Sequence, residues 1–495
     1  MHGNPRLSRD GATPRVGIVH LGPGAFFRAF NAVYTDEAMA AQGGDWGILA
    51  VSLRSRTAQD QLEPQGGVFT SVTLSEDGFK PQVIGSIAGV LVAPDDPAAV
   101  VAAMADDAVN IVSLTITEKG YCHEPATGAL NRAHPDVIHD LASLDAPRSA
   151  VGFIVAALAA RRAAGVNPFT VMSCDNLPSN GALARGTVLD FARAVDGDLA
   201  DWIEANVPFP ATMVDRITPA TTGDDVARLA EVAGYHDPAC VFHEGFRQWV
   251  IEDNFADGRP AWDAVGAQFV ESVDAHELMK LRCLNGTHST LAYLGYLAGY
   301  ETISDAVADP DFAALCERLW RDEIIPTVPK PDGEDLPAYC ASLMARYRDP
   351  SIRHRTWQIA MDGSQKLPQR LLGTIGDNLA AGRAPVGLAI AVAGWMRYVG
   401  GVDEKGAAID VRDPMASALK DASDRADSAA DKVAALLAFR EVFSADLAGN
   451  DVFRGLVTQA YAVLVTDGAA ATVRAFVASD AAQGGGAINA ERIQS

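Results

Sequence analysis

The chain has 495 residues, and 40 basic against 63 acidic side chains leave a net charge of −23. With 48% hydrophobic and 21% charged residues the composition is globular. At this length roughly two to four domains can form cores without disulfides or structural metals. The acidic surplus repels phosphate backbones and anionic lipid, which excludes general nucleic-acid and membrane-surface binding.

The first part of the chain alternates. Arg15–Leu21 predicts a short buried strand, followed by a glycine turn and a helix over Ala25–Met39. Trp46–Leu53 predicts a second strand, and Val68–Leu74 with Phe79–Ile87 a hairpin around Ser75-Glu76-Asp77-Gly78. A helix over Pro97–Ala105, a buried strand over Asn110–Thr117, a helix over Ala150–Ala164 and a strand over Pro168–Ser173 follow. Strands spaced by helices imply βαβ units and a mainly parallel sheet. From His276 onward Ala- and Leu-rich helical stretches take over, at Pro310–Leu319, Gln369–Ala381, Pro385–Tyr398 and Lys432–Phe443. The expected division is an α/β domain over 1–275 and a mainly α-helical domain over 276–495, with Gln483–Ile488 as a mobile Gly-rich end.

Six cysteines (Cys122, Cys174, Cys240, Cys283, Cys316 and Cys340) are scattered without a C-x-x-C pair, against zinc ribbons, iron–sulfur clusters and a disulfide scaffold. Met1–Arg15 is polar and lacks the apolar core of a signal peptide. The apolar stretches Val151–Ala160 and Val386–Trp395 end at Arg161 and Arg397, short of the ~20 residues that cross a bilayer. A soluble, reduced, cytoplasmic protein is expected, and its size suits an enzyme.

Gly22-Pro23-Gly24-Ala25-Phe26 follows the first strand and opens a helix, the context in which backbone N–H groups meet a dinucleotide's pyrophosphate. Phe27 replaces the third glycine of G-x-G-x-x-G, so an ordinary strand–helix turn is the competing reading. The second strand runs into Leu53-Arg54-Ser55-Arg56 with no acid for the ribose hydroxyls. Arg54 can contact a 2′-phosphate, stack on adenine or stay solvated, which leaves NAD and NADP both open.

In HELMKLRCLNGTHSTLAYLGYLAG (His276–Gly299), at about 100° per residue, Glu277, Lys280, Asn285 and His288 share one arc with Leu281, Leu284 and Leu291. A buried charge without a partner is costly, so these groups are either paired or functional. Oxidising a secondary alcohol needs a base and donors for the developing alkoxide. A desolvated lysine with a lowered pKa serves as base or acid, and an Asn amide holds the oxygen. The plainer alternative is a snorkelling Lys280, a satisfied core His288 and a surface pair of Glu277 with Lys280.

Five motifs now stand in order: GPGAFFR (Gly22–Arg28), TITEKGY (Thr115–Tyr121), SCDNLPSNG (Ser173–Gly181), MVDRITP (Met213–Pro219) and K-x4-N-x2-H (Lys280–His288). Together they resemble the polyol-specific long-chain dehydrogenases, the family of mannitol 2-dehydrogenase and fructuronate reductase (D-mannonate oxidoreductase). The resemblance runs from about residue 15 to beyond residue 370. It implies a Rossmann-type dinucleotide-binding domain, a helical C-terminal domain, NAD(P) as hydride carrier and no metal.

Carried over by motif, Lys280 is the catalytic acid/base, Asn285 and Asn176 polarise the reacting oxygen, and Glu277 relays the proton. His288 and Asp215 become substrate ligands, with a local ion pair as the alternative for Asp215. Thr117, Glu118 and Lys119 fall at a strand end facing the nicotinamide, or form a structural turn. Phe27 stands where many members have His. DGSQKLPQR (Asp362–Arg370) resembles the fructuronate reductase branch, where Lys366 or Arg370 would pair with a sugar-acid carboxylate. The resemblance therefore implies D-fructuronate and D-mannonate as substrates, with mannitol and fructose as the alternative; a solvated turn is the competing reading of the segment.

No tyrosine has Lys four positions on, against a short-chain dehydrogenase. The cysteine spacing is against a zinc alcohol dehydrogenase. A nucleotide-sensing protein with a silent site is the alternative of another class, and both asparagines beside Lys280 argue against it. A monomer or small homo-oligomer with a small-molecule partner is expected.

Overall fold

The computed structural model describes residues 4–481 apart from 76–77 and 125–126. Eleven strands are described: β1 (Val16–Leu21), β2 (Gly47–Ser52), β3 (Phe69–Ser75), β4 (Gly78–Ile84), β5 (Ile87–Val92), β6 (Ile111–Leu114), β7 (Thr170–Ser173), β8 (Thr212–Asp215), β9 (Val241–His243), β10 (Gln248–Glu252) and β11 (Gln268–Val270). Five form a parallel sheet in the order β5-β2-β1-β6-β7, and β11-β10-β8 and β4-β3-β9 form two small mixed sheets. This is a Rossmann domain.

The central strands are mainly apolar because both faces of the sheet are covered, with His20 and Ser113 buried among them. Val19, Leu21, Val112, Phe153 and Leu158 pack in one core, and Ile18, Phe30, Tyr34, Trp249 and Trp262 in another. Each such side chain contributes about 1.5–3 kcal/mol when fully buried. The helix Ala150–Ala164 runs as expected, because its signals are local. The Ser149 hydroxyl accepts the Gly152 N–H, and Gly165 ends the helix at φ +70°.

Two expectations in this half are corrected. Phe79–Ile87 is not one strand. β4 stops at Ile84, the Gly85 N–H donates to Asp36 and the Ser86 hydroxyl to the Ala32 carbonyl. These bonds divert the chain, and β5 joins β2 in the parallel sheet. The strand expected over Asn110–Thr117 ends at Leu114, and Thr117 lies at φ +63°. Part of the expected hairpin turn, Glu76-Asp77, and the tail Gln483–Ile488 lie outside the described residues.

The chain divides into Met1–Asp274 and Ala275–Ser495. The second unit is helical around a core that includes Tyr293, Leu294, Trp320, Leu388, Trp395 and Phe443. Among the described residues three stretches are π-helical, at Lys280–Gly286, Leu319–Ile324 and Pro368–Leu372. The helix expected over Lys432–Phe443 spans Ala429–Leu437 instead. No helix among the described residues is long and apolar enough to cross a membrane, and all six cysteines are free and buried.

Candidate active site

In the first unit a cleft of about 900 Å³ opens at the carboxyl ends of β1, β2 and β6, where ligands bind in doubly wound sheets. Its floor is the glycine turn. Gly22 lies at φ +95°, and a Cβ there would sit 2.3 Å from the Thr115 carbonyl oxygen, so no other residue fits. The Gly22 N–H donates to the Val51 carbonyl (3.0 Å), and its own carbonyl accepts from the Gly24 N–H (2.7 Å) and the Thr115 hydroxyl (2.7 Å).

Beneath the turn, the buried His20 bonds the hydroxyls of Ser113 (2.8 Å) and Thr115 (2.9 Å). Burial pushes its pKa down to about 3, so the ring is neutral. Phe27 stacks on that ring, 3.7 Å between centroids and 11° between planes. The residue that breaks the third-glycine rule is therefore a packing partner of His20. Arg28 donates to the Pro23 carbonyl (2.8 Å) and lines the cleft, while its buried Nε has no partner.

Gly22, Pro23, Gly24, Ala25, Arg54, Thr117 and Lys119 all line this cleft. Phe26 and Glu118 are not among its lining. Phe26 stacks on Phe30 at 5.0 Å, and Glu118 is exposed with a carboxylate oxygen 3.8 Å from His123. The helix following the turn stops at Ala29 and resumes at Asn31. Asn176 follows β7, and the buried Asp215 ends β8. Asn180 ties the backbone beyond β7 to Thr212, the first residue of β8. Its amide donates to the carbonyls of Asp175 (2.9 Å) and Thr212 (2.8 Å) and accepts the Thr212 N–H (3.0 Å). The basic neighbour of Asp215, Arg216, donates to the carbonyls of Ala29 and Glu244.

In the second unit, the stretch read as one helix is three segments: Asp274–Met279 carrying Glu277, the π-helix Lys280–Gly286, and Thr287–Leu297 carrying His288. Bonding from i to i+5 draws Lys280 and Asn285, which stand at the two edges of their shared arc on an α-helix, closer to the same side. A Cβ on Gly286 would lie 2.9 Å from the Arg370 carbonyl oxygen, so two π-helical segments meet there. Lys280 is 7% exposed.

His288 packs between Tyr347 (5.3 Å, stacked) and His354 (4.5 Å, edge-on). Burial first, then His354, Arg370, Arg346 and Lys366, hold its pKa well below the ordinary value, so it is a neutral hydrogen-bonding ring. Arg370 donates to Ser289, the next residue along (3.1 Å). Lys366 donates to the Met361 carbonyl (2.6 Å) and lies 3.9 Å from Asp362. The Asp362–Arg370 segment is helical beyond a strained Asp362 at φ +54°, not a solvated turn.

Models of two domains match in order, the mannitol dehydrogenase Rossmann domain over residues 16–264 and the mannitol dehydrogenase C-terminal domain over 272–465. The chain belongs to the mannitol dehydrogenase family. It is 49% identical over 474 residues to the D-mannonate oxidoreductase of Escherichia coli K12, covering 95% of this chain and 97% of that one. It is 42% identical over 478 residues to a mannitol 2-dehydrogenase of Cereibacter sphaeroides, covering 96% and 98%. A structure of Pseudomonas fluorescens mannitol 2-dehydrogenase, a ternary complex with NAD and D-mannitol, superposes with a TM-score of 0.83 at 39% identity, covering 96% and 97%.

Membership in the mannitol dehydrogenase family makes this chain an NAD-dependent oxidoreductase of secondary alcohols. The cleft fits such a dinucleotide by its own chemistry. It offers a side-chain-free turn at Gly22 and a buried guanidinium at Arg28 with an unpartnered N–H for phosphate oxygens. Sequence reasoning missed Arg148, Thr221, Thr222 and Cys240, which also line it. No local signal marks Arg148 or Cys240. The Thr222–Asp225 capping box was a readable helix start, but nothing in it points to a ligand.

Proposed function

We propose that the chain reduces D-fructuronate to D-mannonate and catalyses the reverse oxidation. The observation that carries this reading is the cationic pair Lys366 and Arg370, one turn apart and joined to the His288 segment through Ser289. Asp362 lies 3.9 Å from Lys366, and the other nearby acid, Asp413, accepts the Ser364 N–H (2.7 Å) and hydroxyl (2.6 Å). A substrate carboxylate gives this pair a charge-assisted partner. The identity to a D-mannonate oxidoreductase supports the same choice. Oxidation of mannitol to fructose is the second reading, favoured by the relatives and the solved complex that carry that name.

In the direction of reduction, protonated Lys280 gives its proton to the C5 carbonyl oxygen of fructuronate, or C2 of fructose. The amides of Asn176 and Asn285 donate to that oxygen as charge grows on it. Glu277 returns a proton to Lys280 from solvent. His288 and Asp215 hold substrate hydroxyls, and Lys366 with Arg370 hold the carboxylate. Gly22–Ala25, Arg54, Thr117 and Lys119 would hold NADH, which would supply the hydride when bound. We place the enzyme in the cytoplasm as a monomer or small homo-oligomer, in keeping with six free, buried cysteines.

The test is loss of NADH absorbance at 340 nm with a panel of uronates and ketoses. The expected result is a kcat/KM for fructuronate at least tenfold above that for fructose. The reverse order establishes the mannitol reading, and dinucleotide binding without turnover establishes the silent sensor.

Cofactor preference yields a further expected outcome. Arg54 is paired with Asp136 (2.8 Å) and Arg56 with Asp95, so the guanidiniums beyond β2 are charge-neutralised. That balance favours a ribose without a 2′-phosphate. Asp136→Asn removes one of the acids and is expected to raise the NADP-to-NAD ratio of kcat/KM about tenfold, an energy of ~1.4 kcal/mol. An unchanged ratio would remove Arg54 from the cofactor site.

A further inference from the structure

Thr117 is β-branched and exposed, yet it sits in the left-handed region at φ +63°, on the wall of the dinucleotide cleft. Such a conformation is costly for a β-branched residue and persists only where its surroundings impose it. What imposes it here is one side chain. The buried carboxylate of Asp175 accepts the Thr117 N–H (2.8 Å) on one oxygen, and the Ile116 N–H (3.1 Å) and Tyr121 hydroxyl (2.7 Å) on the other. The Tyr121 hydroxyl also meets the Ser173 hydroxyl at 2.5 Å, fixing the far end of the loop to the end of β7. Burial raises the Asp175 pKa, and its three donors oppose the rise.

Asp175 immediately precedes Asn176, and its own carbonyl is held by Asn180. We propose that Asp175 is a positioning residue: its carboxylate holds Ile116–Tyr121 in a strained conformation beside the dinucleotide and locks that loop to the segment presenting Asn176. This rests on the oxidoreductase reading but not on the choice of substrate. Asp175 touches neither reactant in this role and acts through Thr117, Lys119 and Asn176.

The clamp makes demands that a general contribution to stability does not. Asp175→Asn keeps the shape but turns an amide N–H toward at least one of the loop donors. In the substrate-free protein, hydrogen exchange at Ile116 and Thr117 should quicken at least tenfold, while the β1 and β6 amides keep their protection. With whichever substrate the panel identifies, kcat should fall about tenfold, and the NADH dissociation constant, read by fluorescence, should change less than threefold.

Glycine adopts positive φ without strain, so the loop needs less holding once position 117 is glycine. Adding Thr117→Gly to Asp175→Asn should therefore recover kcat at least threefold over Asp175→Asn alone. Should Asp175→Asn fail to fold, Tyr121→Phe removes one bond of the clamp and should shift exchange and kcat in the same directions by smaller factors. Exchange confined to its original rate, a kcat loss accompanied by uniformly faster exchange across the sheet, or losses that simply multiply in the double variant would each overturn the proposal. None of those outcomes depends on which sugar is the substrate, so a failed substrate assignment is told apart from a failed clamp.

Discussion

Replacing Lys280 with alanine is expected to lower kcat by about 10²–10⁴-fold, the usual contribution of a positioned acid–base group. The dissociation constant for NADH should stay within twofold of the parent value, because the residues lining the dinucleotide cleft all belong to the first unit, while Lys280 belongs to the second. The size of the effect follows from burial. A lysine only 7% exposed gives up most of its hydration, and a chain retains that cost where the amine has work to do. Small exogenous amines should restore part of the lost rate, with the smallest most effective, since the vacated volume matches a lysine stem. Stopped-flow absorbance at 340 nm and fluorescence titration with NADH measure the two quantities separately. A variant within tenfold of the parent rate would remove Lys280 from the proton-transfer role and pass it to another group.

How much of this site could be read from the chain depends on whether the cause was local. The parallel sheet and the helix Ala150–Ala164 were legible because apolar runs, Ser149 and Gly165 act within a few residues. The glycine turn was legible for the same reason, although its third-glycine rule is broken by Phe27, a stacking partner of His20, which lies earlier on β1. The phase of the Lys280 segment was not legible. A wheel at α-helical spacing sets Lys280 and Asn285 at the two edges of the arc they share, about 140° apart, and only the close approach of Gly286 to the Arg370 carbonyl accompanies the change to π spacing. That approach spans more than eighty residues of chain, beyond the reach of any periodicity. β5 was missed because the break at Gly85-Ser86 is fixed by Asp36 and Ala32, not by a turn motif. Asp175 was not singled out within SCDNLPSNG, since its three donors come from a segment some sixty residues earlier.

The other large effect concerns the cation near the proposed carboxylate subsite. Burial, and then Arg370, push the Lys366 ammonium down to about 8, against the opposing pull of Asp362 and Asp413. A lysine with that pKa is charged below pH 8 and loses its charge above it. If the charged form holds a substrate carboxylate, KM for a uronate should be flat below pH 7.5 and climb above pH 8, by at most tenfold per pH unit. For a neutral ketose it should stay flat across the same range. Lys366→Met removes the charge at every pH, and a hydrogen bond to a charged group contributes about 1.5–3 kcal/mol, or roughly 10–150-fold. The expected result is therefore a 10–100-fold fall in kcat/KM for the uronate, no remaining rise in KM above pH 8, and less than a threefold change for the ketose. Lys366→Arg keeps a cation that does not titrate in this range. It should hold the uronate KM level to pH 9.5, which a purely structural role for Lys366 would not produce. Initial rates for both substrates between pH 6.5 and 9.5 decide the matter. Equal losses for uronate and ketose would take the carboxylate away from Lys366 and leave the mannitol reading as the stronger one.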